Sequence, residues 1–288
     1  MSDDGELAIV VIALVGNPFS PRYARARRRG AGGPLDFAAM NVAVYGPRGS
    51  AWSLRERRID TADRSRDGIA LGPSTMQWRG DALVIDIDER TTPFRSPLRG
   101  RVVVHPETLC SKSFALDARG LHRWSPVAPL AAVEVDLSSP GLRFRGHGYH
   151  DFNLGEEPLD AGFARWSWSR GRRGERAHIA YDVERADGTS RSIALRVDGA
   201  GALSEEVPVR EVRLRRTIWG LDRNVRSASP SDTTLVRTLE DGPFYARSLV
   251  DTVVDGARTR VVHEVLDAER LRRRWVRFFT SFRMGRAP

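Results

Sequence analysis

Apolar and polar residues alternate with a period of two along most of this chain. Segments 83–89, 100–105, 132–137, 141–146, 177–184, 191–197, 212–219 and 259–265 carry an apolar side chain at nearly every second position. In an extended chain that period sends successive side chains to opposite faces, so each segment predicts a strand with one buried face. Turn-forming residues at 79–81, 118–120 and 186–189 punctuate them. The unbroken apolar run 7–15, rich in Val and Ile, predicts a buried first strand. Helix is predicted at two places: a short basic one over 21–29, and a C-terminal one over 267–279. The latter has Asp267 as N-cap, with Leu271, Trp275 and Phe278 along one side. Many short strands separated by turns predict an all-β fold of antiparallel barrels or sandwiches, an architecture that often encloses a ligand. The pattern lapses over 155–162 and then resumes with a fresh meander, which predicts a linker and two domains, 1–157 and 158–288.

Composition narrows the field. A chain of 288 residues with 41% hydrophobic and 29% charged residues has ample material for a core. The formal charge of +9 favours an acidic partner, either nucleic acid or an anionic membrane surface. Lys112 is the sole lysine among 46 basic residues, so much of this charge reads as a general arginine bias on solvated faces. No nucleic-acid reading module is recognisable, and nucleic acid is not an expected partner. Cys110 stands alone, which excludes an internal disulfide and a thiolate metal cluster and fits a reducing compartment. The longest apolar run is half a bilayer span, and Asp3 and Asp4 precede it where a signal peptide would be basic; a cytoplasmic location is expected.

The chemistry concentrates in residues 146–159. Tyr149, His150 and Asp151 stand among glycines directly after a predicted strand, and His122, Arg123 and Trp124 lie upstream. In extended geometry Tyr149 and Asp151 share one face, and His122 and Trp124 share another. Facing each other, they would form a pocket with an acid, a base and aromatic walls. Burial in apolar surroundings disfavours a charged carboxylate, which would keep Asp151 protonated as a general acid. Structural alternatives stand beside each residue: a loop cap for Asp151, a core aromatic for Trp124, a turn residue for His122. No nucleophilic Ser or Cys occupies a glycine-flanked elbow, and His147 and His150 lack further ligands nearby, so no metal site is expected. Trp166 and Trp168 share a face, as core packing or as pocket lining. Arginines interleave with aromatics over 270–279, a pattern suited to an anionic membrane or to a solvated terminal helix.

Three stretches carry a resemblance: residues 16–30, the strand 40–46, and the block Gly-x-Gly-Tyr-x-Asp-x-Asn-x-Gly-x-x-Pro-Leu at 146–159 followed by Trp166, Trp168, Ser169 and Arg170. Together with the closing Ser281, Phe282, Arg283 and Met284, they resemble the carotenoid 1,2-hydratases, also termed hydroxyneurosporene synthases. The resemblance implies two lipocalin-like β domains and addition of water to the C1–C2 double bond of an acyclic carotene such as neurosporene or lycopene, without a cofactor. It places the functional residues on His122, Trp124, Tyr149 and Asp151, mostly in the N-terminal domain, with Trp166, Trp168 and Phe152 expected against the substrate. A membrane-dissolved hydrocarbon implies peripheral attachment to the inner or intracytoplasmic membrane. Arg27, Arg28, Arg273, Arg274 and Trp275 are the expected docking residues. Phe37, Ala38, Ala39, Phe152 and Leu154 are more apolar than that family's pattern and would shift substrate preference. Two rival functions remain: a non-catalytic carrier of apolar ligands, and a pericyclase or isomerase acting on another polyene.

Overall fold

The computed structural model describes residues 1–57, 62–283 and 285–286, and its architecture is overwhelmingly antiparallel β. Met284 lies outside the described residues. The chain forms two compact units. The first comprises Met1–Pro106, Ala131–Tyr149 and Arg277–Pro288; the second comprises Glu107–Leu130 and His150–Val276. The division is discontinuous, where a single boundary at residue 157 was expected, and it runs through two long strands. Within His122–Ser139, the buried positions are even-numbered from His122 to Ala128, all four of Ala128–Ala131 are buried, and the buried positions are then odd-numbered to Leu137. A side chain one residue on faces the other way, so the strand changes the face it buries where the division falls. Leu142–Gly155 runs through the corresponding division at Tyr149.

In the first unit the strands Ala8–Leu14, Ala39–Gly46 and Gly49–Glu56 form one sheet, which Gly285–Arg286 joins in parallel. Pro97–Pro106, Ala82–Arg90 and Ser74–Arg79 belong to a second. The predicted alternation is realised as a shared core in which Met40, Val42 and Val44 meet Leu83, Ile85, Val102, Val104, Val133 and Val135. The block at 146–159 is strand rather than loop as far as Gly155. Its glycines permit close approach: a Cβ at Gly148 would collide with the Val133 side chain.

The second unit is built on a 7-stranded sheet ordered Leu203–Glu206, Ser190–Val197, Arg176–Arg185, Phe163–Arg173, Ala257–Asp267, Tyr245–Val254 and Thr234–Asp241. One face is covered by the hairpin Glu211–Leu214/Arg223–Arg226, whose Val212, Leu214 and Val225 pack on Val250 and Val261. The opposite face carries the aromatic residues described below. The predicted linker is instead a short helix, Leu159–Gly162, packed into the fold. The basic helix Pro21–Arg28 forms as predicted, capped by Ser20. The C-terminal helix is interrupted: Ala268–Leu271, capped by Asp267, is followed by a separate helix Arg274–Arg283. Leu271 is buried, but Trp275 and Phe278 are exposed, so the expected single apolar side does not form. Among the described residues no helix is long and apolar enough to cross a membrane.

Candidate active site

Trp124 is wholly buried on the second unit's part of its strand, where it pairs with Phe114 at a ring separation of 5.6 Å. Its indole Nε1–H donates to Asp151 Oδ2 at 2.9 Å. An indole nitrogen can only donate, so Oδ2 is fixed as an acceptor. A proton on Oδ1 would leave this bond undisturbed. Two separate strands thus bring together Asp151 and Trp124, which lie 27 residues apart in sequence.

The surrounding wall was not legible locally. Tyr181 meets Trp124 edge-on, at 5.4 Å and 82°; Trp166 meets Tyr181 at 5.8 Å and 69° and Tyr245 at 6.3 Å and 65°. Edge-to-face contacts set positive ring edges against negative faces and fix ring orientation. Strand register explains the row: Trp168 lies opposite Tyr181 and Glu264, and Glu264 lies opposite Arg247. Trp166 and Trp168 are half-buried on this face. Burial drives the Tyr181 phenol far above its ordinary range, with the charges of Asp151 and Glu264 adding to the effect. The row ends on a buried guanidinium. Arg247 bonds Glu264 at 2.7 Å and lies over the Tyr245 ring at 5.4 Å.

His122 occupies a different environment from its strand neighbour. Its imidazole packs on Phe163 at 4.4 Å, and Nε2 lies 3.6 Å from Glu157 Oε1. Gly155 and Gly162 line it so tightly that a Cβ on Gly162 would sit 2.5 Å from Nε2. Burial lowers the basicity of His122 against the opposing pull of Asp117 and Glu157. Asp117 accepts the backbone N–H groups of Arg119, Leu121 and His122. Burial would raise its carboxyl, but those bonds hold it below the ordinary value. Only the Asp-x-x-Gly turn signal at Asp117 hinted at this support.

Tyr149 precedes Asp151 by two residues on the same strand and is half-buried; it falls in the first unit, whereas His122, Trp124 and Asp151 fall in the second. Phe152 is 46% exposed, and strand alternation turns it away from the face of Asp151. Arg27 and Arg28 are exposed on the basic helix, with Arg27 over the Tyr23 ring at 5.6 Å. Arg273 and Arg274 are exposed, and Trp275 stacks on Trp219 at 6.0 Å. Elsewhere in the second unit, His178, Glu206 and Asp255 converge within ligand distance of one another. Arg196 reaches both carboxylates, at 3.1 and 4.0 Å, and supplies the positive charge a cation would otherwise bring.

Comparison with known proteins bears on what this arrangement is. The family described as "Carotenoid hydratase CrtC" matches residues 11–288. The acyclic carotenoid 1,2-hydratase of Thiocapsa roseopersicina is 43% identical over 99% of this chain and 71% of its own length. That of Cereibacter sphaeroides is 35% identical over 96% of this chain and 98% of its own length. Among solved structures, a Nitrosomonas europaea protein assigned to AttH superposes with a TM-score of 0.59 at 13% identity, covering 93% of this chain and 89% of that one. The last likeness supports the lipocalin-like fold alone. The family match and the near full-length relatives go further: this chain belongs to the carotenoid hydratase family.

Proposed function

We propose that the protein is a cofactor-independent carotenoid 1,2-hydratase of carotenoid biosynthesis, adding water to the C1–C2 double bond of an acyclic carotene such as neurosporene or lycopene. The observation that carries this reading is a carboxyl group held by an indole N–H against a wall of aromatic rings. Protonating an isolated alkene produces a carbocation, and the barrier falls when a neutral acid is positioned in a dry cavity. Asp151 transfers the proton on Oδ1 to C2, and the π electrons form the new C–H bond. The tertiary cation left at C1 lies against the faces of Trp124 and Tyr181; a desolvated cation–π contact contributes about 2 kcal/mol. Water attacks C1, and the Asp151 carboxylate takes the proton that water releases. The acid is regenerated and the step is redox-neutral, so water and the carotene supply every atom. His122 is engaged with Phe163 and Glu157, which favours a role in holding the local structure. Trp166 and Trp168 line the path of the polyene. Arg27, Arg28, Arg273, Arg274 and Trp275 dock the cytoplasmic enzyme peripherally on the membrane that holds its substrate.

The test is incubation with lycopene or neurosporene in liposomes made up in labelled water, followed by mass spectrometry. A product heavier by one labelled water, absent with Asp151→Asn, is expected. Carotene bound but unchanged would make the protein a carrier, and wild-type hydration by Asp151→Asn would sink the acid assignment. Unchanged turnover by His122→Ala would limit His122 to structural support.

A further inference from the structure

We infer that the turn between strands Glu211–Leu214 and Arg223–Arg226 is a membrane anchor, in which Ile218 and Trp219 enter an anionic bilayer beside Trp275. The inference rests on the carotene reading above, because a hydrocarbon substrate must be drawn from lipid. Ile218 is 95% exposed, and Trp219 and Trp275 are 40% and 42% exposed with their rings stacked 20° from parallel. A single exposed apolar residue needs no explanation, but this one is held out by a fixed backbone. The Ile218 N–H donates to Asp241 Oδ2 at 2.7 Å, and the Leu221 N–H donates to Thr217 Oγ1 at 3.0 Å. Arg270 donates to the carbonyls of Trp219 and Gly220 at 2.6 and 2.9 Å. Leu221 is buried against Ala246 and Val265, so the turn is rooted in the core while its tip faces solvent. A tip already ordered loses little further freedom on insertion.

The charges around the tip select the partner. Arg215, Arg273 and Arg274 are exposed and make no ion pair among the described residues. The neighbouring carboxylates are engaged: Asp222 by Arg213 and Arg216, and Asp241 by Arg223 at 3.9 Å. An apolar, Trp-flanked tip rimmed by unpaired arginines matches acyl chains below anionic headgroups. A second copy would bring the same arginines face to face, which opposes self-association.

The experiment is sedimentation of the full chain with vesicles of phosphatidylcholine plus phosphatidylglycerol, compared with phosphatidylcholine alone and without any carotene. Ile218→Ser is expected to weaken partitioning roughly tenfold, as loss of one buried aliphatic side chain implies, and Ile218→Asp to weaken it more. Thermal unfolding should not change, since the side chain makes little contact in the free protein. Bromine-labelled acyl chains should quench tryptophan fluorescence in the wild type and quench it less in Trp219→Phe. Wild-type partitioning by both Ile218 variants would overturn the anchor. So would a concentration-dependent dimer that Ile218→Asp dissolves while vesicle binding persists. Because no carotene is present, failed hydration with intact partitioning leaves the anchor standing, and hydration in detergent without partitioning removes the anchor alone.

Discussion

In the proposed mechanism the indole N–H of Trp124 directs the proton of Asp151 to Oδ1, and this can be tested one atom at a time. Trp124→Phe keeps an aromatic ring but removes the donor that holds Oδ2 as an acceptor. The turnover number is expected to fall about tenfold with KM little changed, as for a contact that matters in the transition state. A rise in KM alone would reduce Trp124 to substrate packing. His263 offers an independent test of the surrounding fold. It is 1% exposed, its Nε2 donates to the Asn224 carbonyl at 2.8 Å, and burial lowers its titration from 6.5 to about 4. The unfolded chain takes up this proton as pH drops below 6.5, whereas the folded chain does so only near 4. The contribution of neutral His263 is therefore full above 6.5 and is lost progressively down to about 4. The loss runs at up to about 1.4 kcal/mol per pH unit in that window. The fall in unfolding temperature from neutral to mildly acidic pH should be shallower in His263→Gln. An identical slope would remove His263 from the account.

Among the elements, Leu159–Gly162 makes the sharpest prediction. Gly162→Ala would press a methyl group onto the His122 ring and destabilise the protein by about 1–3 kcal/mol, the usual cost of overpacking. In a His122→Ala background the same substitution should cost far less. Additive effects in denaturant titrations would mean that the two residues do not share this space. The element also shows what sequence alone conveys. Strands such as Ala82–Arg90 and Arg176–Arg185 were legible because a period of two is a local property, whereas Asp151 and Trp124 lie beyond the alternating segments 141–146 and 132–137, and their pairing followed only from carrying extended geometry past them. Tyr181, Tyr245, Arg247 and Glu264 join the site through cross-strand register, and no local pattern records which strands become neighbours. The pattern lapse over 155–162 looked like a linker because polar and glycine residues mark loops; only the approach of His122 explains Gly162. The break after Leu271 was equally hidden, since an arginine run has good helix propensity throughout. There Arg270 and Arg272 reach outward to the carbonyls of Trp219 and Asp160.

For the whole molecule, the charge of +9 takes effect through where its arginines stand. The helix Pro21–Arg28 uses Tyr23 against Phe37 at 5.0 Å and leaves Arg25, Arg27 and Arg28 exposed. It can attract an anionic surface but has little to insert into one. Replacing Arg27 and Arg28 with Gln should therefore reduce vesicle binding at low salt. The difference should vanish near 1 M salt, where the screening length is about 3 Å. Turnover on detergent-dispersed carotene should be retained, and its loss would point to a folding role. The path of the two long strands has a consequence for inheritance. Trp124 and Asp151 are encoded before residue 157, while Trp166, Tyr181 and Tyr245 of the same compact unit are encoded after it. A gene crossover between relatives near that point would exchange the aromatic wall and leave the acid with its hydrogen-bond donor untouched. On the proposed mechanism, recombination can thus vary which polyene is accommodated without disturbing the proton chemistry.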